Sequence, residues 1–134
     1  MPVSGPIFAS PPELIAPAGY SHVVTIPPGQ LAWTAGQVGM TRDRTLADGW
    51  EAQTRLAFEN TGRALRAAGA AWPNVVKLTL YVVDISELAT VRRVRDEFIN
   101  MASPPTSSLV EVSALFHPDV LLEVEAVAFL PDLT

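Results

Sequence analysis

Along residues 122–128, Leu122, Val124, Ala126 and Ala128 alternate with Glu123, Glu125 and Val127. A period of two is that of a strand with one face buried, and it predicts a strand over 120–129. A second alternating run, Leu109-Val110-Glu111-Val112-Ser113, follows Pro104-Pro105 and predicts a strand over 108–115, with Phe116-His117-Pro118-Asp119 as the turn between the two. Residues 75–83 are rich in β-branched side chains and read as a central strand. Residues 21–26 and 30–36 are strand candidates separated by Pro27-Pro28-Gly29, which predicts a hairpin.

Between these runs the period lengthens. Trp50, Ala57, Phe58, Leu65 and Ala68 fall near helical spacing, predicting a helix with its N-cap at Asp48, running to about residue 68 and stopped by Gly69. A second helix is expected from an N-cap at Ser86, with Leu88, Val91, Arg95 and Phe98 roughly on one face, ending before Ser103-Pro104. Residues 1–19 hold five prolines and two glycines and read as an irregular arm with room for a short strand at 6–9.

The resulting order is ββαβαββ, a layered α+β (α/β) arrangement with two helices on one face of a mixed sheet. At 134 residues the chain is the size of one domain, 1–134. Its second sheet face is mixed rather than simply polar, and 49% of its residues are apolar against 17% charged. Both observations point to copies of the chain covering that face.

Charge and composition then exclude several chemistries. A net charge of −5 and the absence of a basic stripe argue against nucleic acid, whose affinity rests on neutralised phosphates. The one basic concentration, Val91-Arg92-Arg93-Val94-Arg95, runs directly into Asp96-Glu97 and reads as a solvated helix face. There is no cysteine, hence no disulfide, thiol nucleophile or cysteine-based zinc site. His22 and His117 lie far apart and read as surface or strand-end residues, so no metal is expected. The apolar runs are too short to cross a bilayer, and the residues from Met1 to Pro17 lack the pattern of a signal peptide, so a cytoplasmic protein is expected.

Glu123 and Glu125 share a strand face, where one of them could take a raised pKa and handle a proton or a water. An edge pair that keeps a strand soluble is the competing reading. Tyr20, at the start of the first strand, could donate to a ligand or simply pack. Gly36 and Gly39 flank Gln37-Val38 at a strand end, which suits either a turn or close approach of a ligand to the backbone. Ser107 and Ser108 lie outside any G-x-S-x-G elbow, but hydroxyls at a strand mouth can hold a carbonyl or carboxylate.

Taken together, the segments Ala18-Gly19-Tyr20-Ser21, Trp33-Thr34-Ala35-Gly36-Gln37, Gln53-Thr54 with Asn60 and Gly69-Ala70, Val75-Val76-Lys77-Leu78-Thr79-Leu80-Tyr81 with Asp84, Val110-Glu111-Val112 and Glu123-Val124-Glu125-Ala126 resemble the reactive intermediate deaminase family, also called YjgF or Rid. The resemblance covers nearly the whole chain. It implies a chorismate-mutase-like fold, a homotrimer, and small-molecule clefts between subunits. It also implies hydrolysis of enamines and imines of 2-oxo acids with no metal or organic cofactor. A glutamate corresponding to Glu123 positions water there, a tyrosine corresponding to Tyr20 lines the pocket, and an arginine grips the substrate carboxylate. The family has also been described as endoribonucleases, which the acidic composition opposes.

The family's arginine falls in a P-x-R-S-x-V-x-V segment that reads Pro105-Thr106-Ser107-Ser108-Leu109-Val110-Glu111-Val112 here. Ser107 stands in its place, and a hydroxyl cannot supply the charge of a bidentate guanidinium. Three readings follow. The chain is a deaminase or related hydrolase whose substrate lacks a carboxylate at that point and is read by Gly36, Gln37, Ser107, Ser108 and the amide of Leu109. Alternatively it is a trimer that binds a small metabolite without chemistry. In the third reading Arg92, on a helix position that faces the cleft in relatives, restores the missing charge; a solvated helix charge is the plainer account of Arg92.

Overall fold

The computed structural model describes residues 5–132. Its central element is a four-stranded mixed sheet in the order β3-β6-β4-β5, formed by β3 (Gly29–Trp33), β4 (Val75–Val82), β5 (Thr106–Glu111) and β6 (Leu122–Pro131). β6 runs antiparallel to both neighbours, while β4 and β5 are parallel and joined through a helical crossover. Two helices, α1 (Gly49–Ala67) and α2 (Leu88–Arg95), complete the α+β layers predicted from the patterning. A separate two-stranded ribbon pairs β1 (Ile7–Ala9) with β2 (Val23–Thr25).

The predicted hairpin between residues 21–26 and 30–36 is not formed. β2 pairs with β1 of the arm, and β3 pairs with β6. Pro27 and Pro28 explain the difference: two consecutive residues with fixed φ and no N–H carry the chain onward instead of folding it back. The arm thus contributes a true strand where the sequence left room for one.

Helix α1 starts where expected, but the Asp48 side chain makes no capping bond. At its other end the N–H groups of Gly69 and Ala70 donate to Arg66 and Leu65, satisfying carbonyls left open by the last turn. The second helical segment is capped by Asp84 rather than Ser86, since the Asp84 carboxylate accepts from the Ser86 N–H at 3.0 Å and from its hydroxyl at 2.7 Å. A carboxylate is the stronger acceptor, and it draws the first turn back to a 3₁₀ segment, Ile85–Glu87. β5 begins at Thr106, earlier than predicted, and its pairing with β4 ends at Glu111, where β4 itself ends at Val82.

The core lies between the sheet and the helices. Leu78, Leu80 and Val82 of β4 and Leu122, Val124, Ala126 and Ala128 of β6 are all buried, as the alternation required. Phe58 of α1 stacks at 5.3 Å on Trp72 and lies 5.3 Å from Phe98, tying α1 to the segment after α2. On the other face of the same strands lie Lys77, Thr79, Tyr81, Glu123, Glu125 and Val127, all half-buried, with no helix or strand of the described residues upon them.

Candidate functional site

Two clusters hold the residues singled out in the sequence, and they occupy different ends of the sheet. The first forms around Glu123. Beyond β3 the chain crosses β6 a second time, with the Gln37 N–H donating to Val124 O at 2.7 Å and the Val124 N–H donating back to Gln37 O at 2.8 Å. This bridge lays Gly36 directly over the Glu123 carboxylate. A Cβ at position 36 would stand 1.7 Å from Glu123 Oε1, so only glycine lets the carboxylate sit there. Asn60 of α1 fixes the following turn, its amide donating to the carbonyls of Val38 and Met40 at 2.9 Å each.

Glu125 lies on the same face, and its Oε1 accepts from the Tyr81 hydroxyl at 2.8 Å. Tyr81 stands opposite Glu123 in the register of β4 and β6. Burial, and then the negative charge of Glu125, push the Glu123 carboxyl above its ordinary value. The hydrogen bond to Glu125, with burial and the two carboxylates behind it, raises the Tyr81 phenol. Lys77 turns away from both acids, donating to Ser108 Oγ at 2.9 Å. A cavity of about 270 Å³ opens on this face, lined by Trp33, Thr34, Lys77, Thr79, Glu125 and Val127.

The second cluster forms where the arm meets the start of β5. Ser21 donates its N–H to Pro105 O at 3.0 Å and its hydroxyl to Pro104 O at 2.6 Å. Tyr20 is thereby held beside the Ser107 segment, edge-on to His22 at 5.1 Å. Arg95, 6% exposed, reaches under it: Nη2 donates to Ala18 O at 3.3 Å and, with Nε, to Asp96 Oδ1 at 2.9 Å. A cavity of about 400 Å³ adjoins this point, with Phe8, Pro17, Tyr20, Ser21, Met101 and Pro104 in its wall.

The two serines diverge. Ser107 is in register with Leu78, on the helix side, and Ser108 with Thr79, on the open side. Leu109 packs its side chain against the core. Arg92 is exposed on α2, and none of the ion pairs among the described residues includes it, whereas Arg93 pairs with Glu51 at 2.6 Å. Ser107 is level with Leu78 and Glu123 with Tyr81. With about 3.3 Å per residue along a strand and about 4.8 Å between strands, their Cα atoms are roughly 14 Å apart. One copy of the chain therefore does not gather Tyr20, Ser107 and Glu123 around a single pocket.

Tyr81, Lys77 and Arg95 were not singled out from sequence. The signal for the first two was present: Lys77, Thr79 and Tyr81 alternate within the run read as a central strand. Among the described residues there is no group of three or more side chains suited to holding a metal ion, and no helix is long and apolar enough to cross a membrane.

Comparison with known proteins gives a consistent result. The RutC family protein slr0709 of Synechocystis is 35% identical over 102 residues, covering 74% of this chain and 78% of its own. The human 2-iminobutanoate/2-iminopropanoate deaminase is 30% identical over 128 residues, covering 94% of this chain and 89% of its own. The crystal structure of YyfB from Yersinia pestis, described as a protein of unknown function of the conserved Rid family, superposes with a TM-score of 0.81 at 31% identity, covering 94% of this chain and 99% of that one. Residues 12–130 match the model of the family described as endoribonuclease L-PSP, and the chain belongs to that family, the Rid or YjgF proteins.

Proposed function

We propose that this chain is a cofactor-free hydrolase of carbon–nitrogen double bonds, a Rid-type deaminase acting on a small imine or enamine in a cleft between copies of itself. The observation that carries this reading is the half-buried Glu123 carboxyl, seated on Gly36 and shifted toward its protonated form. Such a group holds its proton more readily than an ordinary glutamate and can give it up and take it back in a reaction. In the reaction Glu123 donates its proton to the imine nitrogen and water adds to the carbon. The carboxylate then recovers a proton from the water oxygen. Transfer of that proton to the amine breaks the C–N bond while the hydroxyl proton returns to the carboxylate, so that R₂C=NH and H₂O become R₂C=O and NH₃ and Glu123 is again protonated. An enamine enters the same sequence after protonation at carbon.

The division of the candidate residues supports assembly, and a homotrimer is the form we propose. Tyr20 and Ser107 at one end of the sheet and Glu123, Gly36 and Gln37 at the other are complementary halves, so a neighbouring copy supplies what each copy lacks. The open face has the apolar anchor that association requires: Trp33 is 69% exposed beside Val127 and Leu31.

Ser107, Ser108 and the amide of Leu109 offer no cation where relatives of the resemblance carry arginine. Loss of a buried bidentate pair costs about 2–5 kcal/mol of binding, so the substrate is one without a carboxylate at that point, unlike the 2-imino acids in the name of the human relative. The same missing charge is the observation that favours a metabolite-binding trimer without turnover. The test is hydrolysis of 2-iminopropionate and of a neutral alkyl imine, followed with semicarbazide, by the unmodified protein and by Ser107→Arg. The proposal expects the unmodified protein to favour the neutral imine and Ser107→Arg to gain activity on the acid. Turnover of neither substrate by either protein leaves the binding reading.

A further inference from the structure

Two carboxylates on one strand face ordinarily call for a cation between them. Here there is none: Lys77, the cation nearest in the register of that face, is engaged with Ser108, and no ion pair among the described residues includes Glu123 or Glu125. The other groups facing Glu123 within the chain are Tyr81 from β4, Glu125 from β6, and the uncharged Gly36 and Gln37. In this half-buried site burial, and then the uncompensated negative charge of Glu125, make Glu123 keep its proton more readily than an isolated acid.

Tyr81 breaks the symmetry of the pair. Its hydroxyl donates to Glu125, and a donor stabilises the charged carboxylate. Glu123 has no such donor among the described residues; its carboxylate instead lies against the Cα of Gly36. We infer that Tyr81 and Glu125 are positioning residues that keep the shared proton on Glu123, with Tyr81 holding Glu125 as a fixed negative charge beside it. The phenol is suited to this, since its own ionisation is pushed upward and it remains a donor across the working range. This rests on the reading of Glu123 as the proton carrier, but the proton's position can be measured without any substrate.

The experiment is a carbon-13 NMR pH titration of the glutamate carboxyl resonances in the assembled protein, for the unmodified chain, Glu125→Gln, Tyr81→Phe and Lys77→Met. Glu125→Gln removes the neighbouring charge and lowers the midpoint of Glu123 on the order of one pH unit. Tyr81→Phe removes the bond that holds the Glu125 carboxylate in place beside Glu123, so the midpoint of Glu123 falls. Lys77→Met leaves Glu123 within about 0.3 pH unit of its original midpoint, since Lys77 is level with Val127, about 13 Å along the strand from Glu123, and its ammonium is directed to Ser108. A role confined to packing moves none of these midpoints. An unchanged Glu123 midpoint in folded Glu125→Gln or in folded Tyr81→Phe overturns the inference. Failure to hydrolyse any imine bears instead on the proposed function and leaves this titration intact.

Discussion

The two faces of the four-stranded sheet come from the same strands, one position out of phase. On the helix side, Leu78, Leu80, Val82, Val124 and Ala126 are sealed under α1 and α2 and carry no polar group. On the open side, Lys77, Thr79, Tyr81, Glu123 and Glu125 stand half-covered, with opposite charges held apart by hydroxyl partners. The first face spends every side chain on burial, the chief stabilising term in folding. The second keeps groups whose cost is borne by the first. Ser107 and Ser108 show how sharp the division is, since adjacent hydroxyls fall on opposite sides of it.

Breaking the helix side has the largest expected effect. Phe58→Ala removes the ring between Trp72 and Phe98 and costs about 3–5 kcal/mol, read from urea unfolding; a loss under about 1 kcal/mol would mean that the aromatic cluster is not the centre of the core. Gly36→Ala comes next and acts only on the open side. The added Cβ forces the Glu123 carboxylate to move by more than an ångström, which lowers kcat by about 100-fold with little change in the urea midpoint. A fall in stability that accounts for the lost activity would erase the distinction between the faces.

The smallest effect is a pH dependence. Folded Glu123 holds its proton more tightly than an ordinary glutamate of pKa 4.5. The folded state therefore gains stability as pH falls from the raised value toward 4.5 and loses it as pH rises through the same window. Glu123→Gln abolishes that slope, so the variant's advantage over the unmodified protein grows as pH rises from 4.5 through the raised value. Parallel stability curves would show that the carboxyl is not penalised by folding.

Alternation read the helix side almost completely, because hydrophobic residues at a fixed period carry their own direction. Leu122, Val124, Ala126 and Ala128 could only face the core. The open side was legible in β6, where Glu123 and Glu125 mark it, and missed in β4, where a run rich in Val and Leu concealed the alternation of Lys77, Thr79 and Tyr81. Side-chain partnerships across strands, such as Tyr81 with Glu125, depend on register, and register depends on the pairing of β4 with β6, elements far apart in the chain. The Pro27-Pro28 step misled for a similar reason: local turn chemistry suggested a reversal, while the partner of β3 lay almost a hundred residues on, in β6. Arg95 shares a face with Val91 as its spacing suggested, yet it is buried and so departs from the solvated face read for the basic run Val91–Arg95; its reach to Ala18 belongs to the tertiary structure alone.

β6 follows every other strand of the sheet in chain order, yet it lies between β3 and β4. During synthesis, β3 has no neighbour in this sheet and β4 keeps one bare edge until residues 122–131 have left the ribosome. Nucleation by local contacts is thus confined to the helices and the β4-α2-β5 crossover, and the decisive step is a late, long-range insertion of one strand between two waiting edges. A nascent chain stalled before Leu122 presents those edges to its neighbours, which makes the β6 segment the point where productive folding and aggregation part.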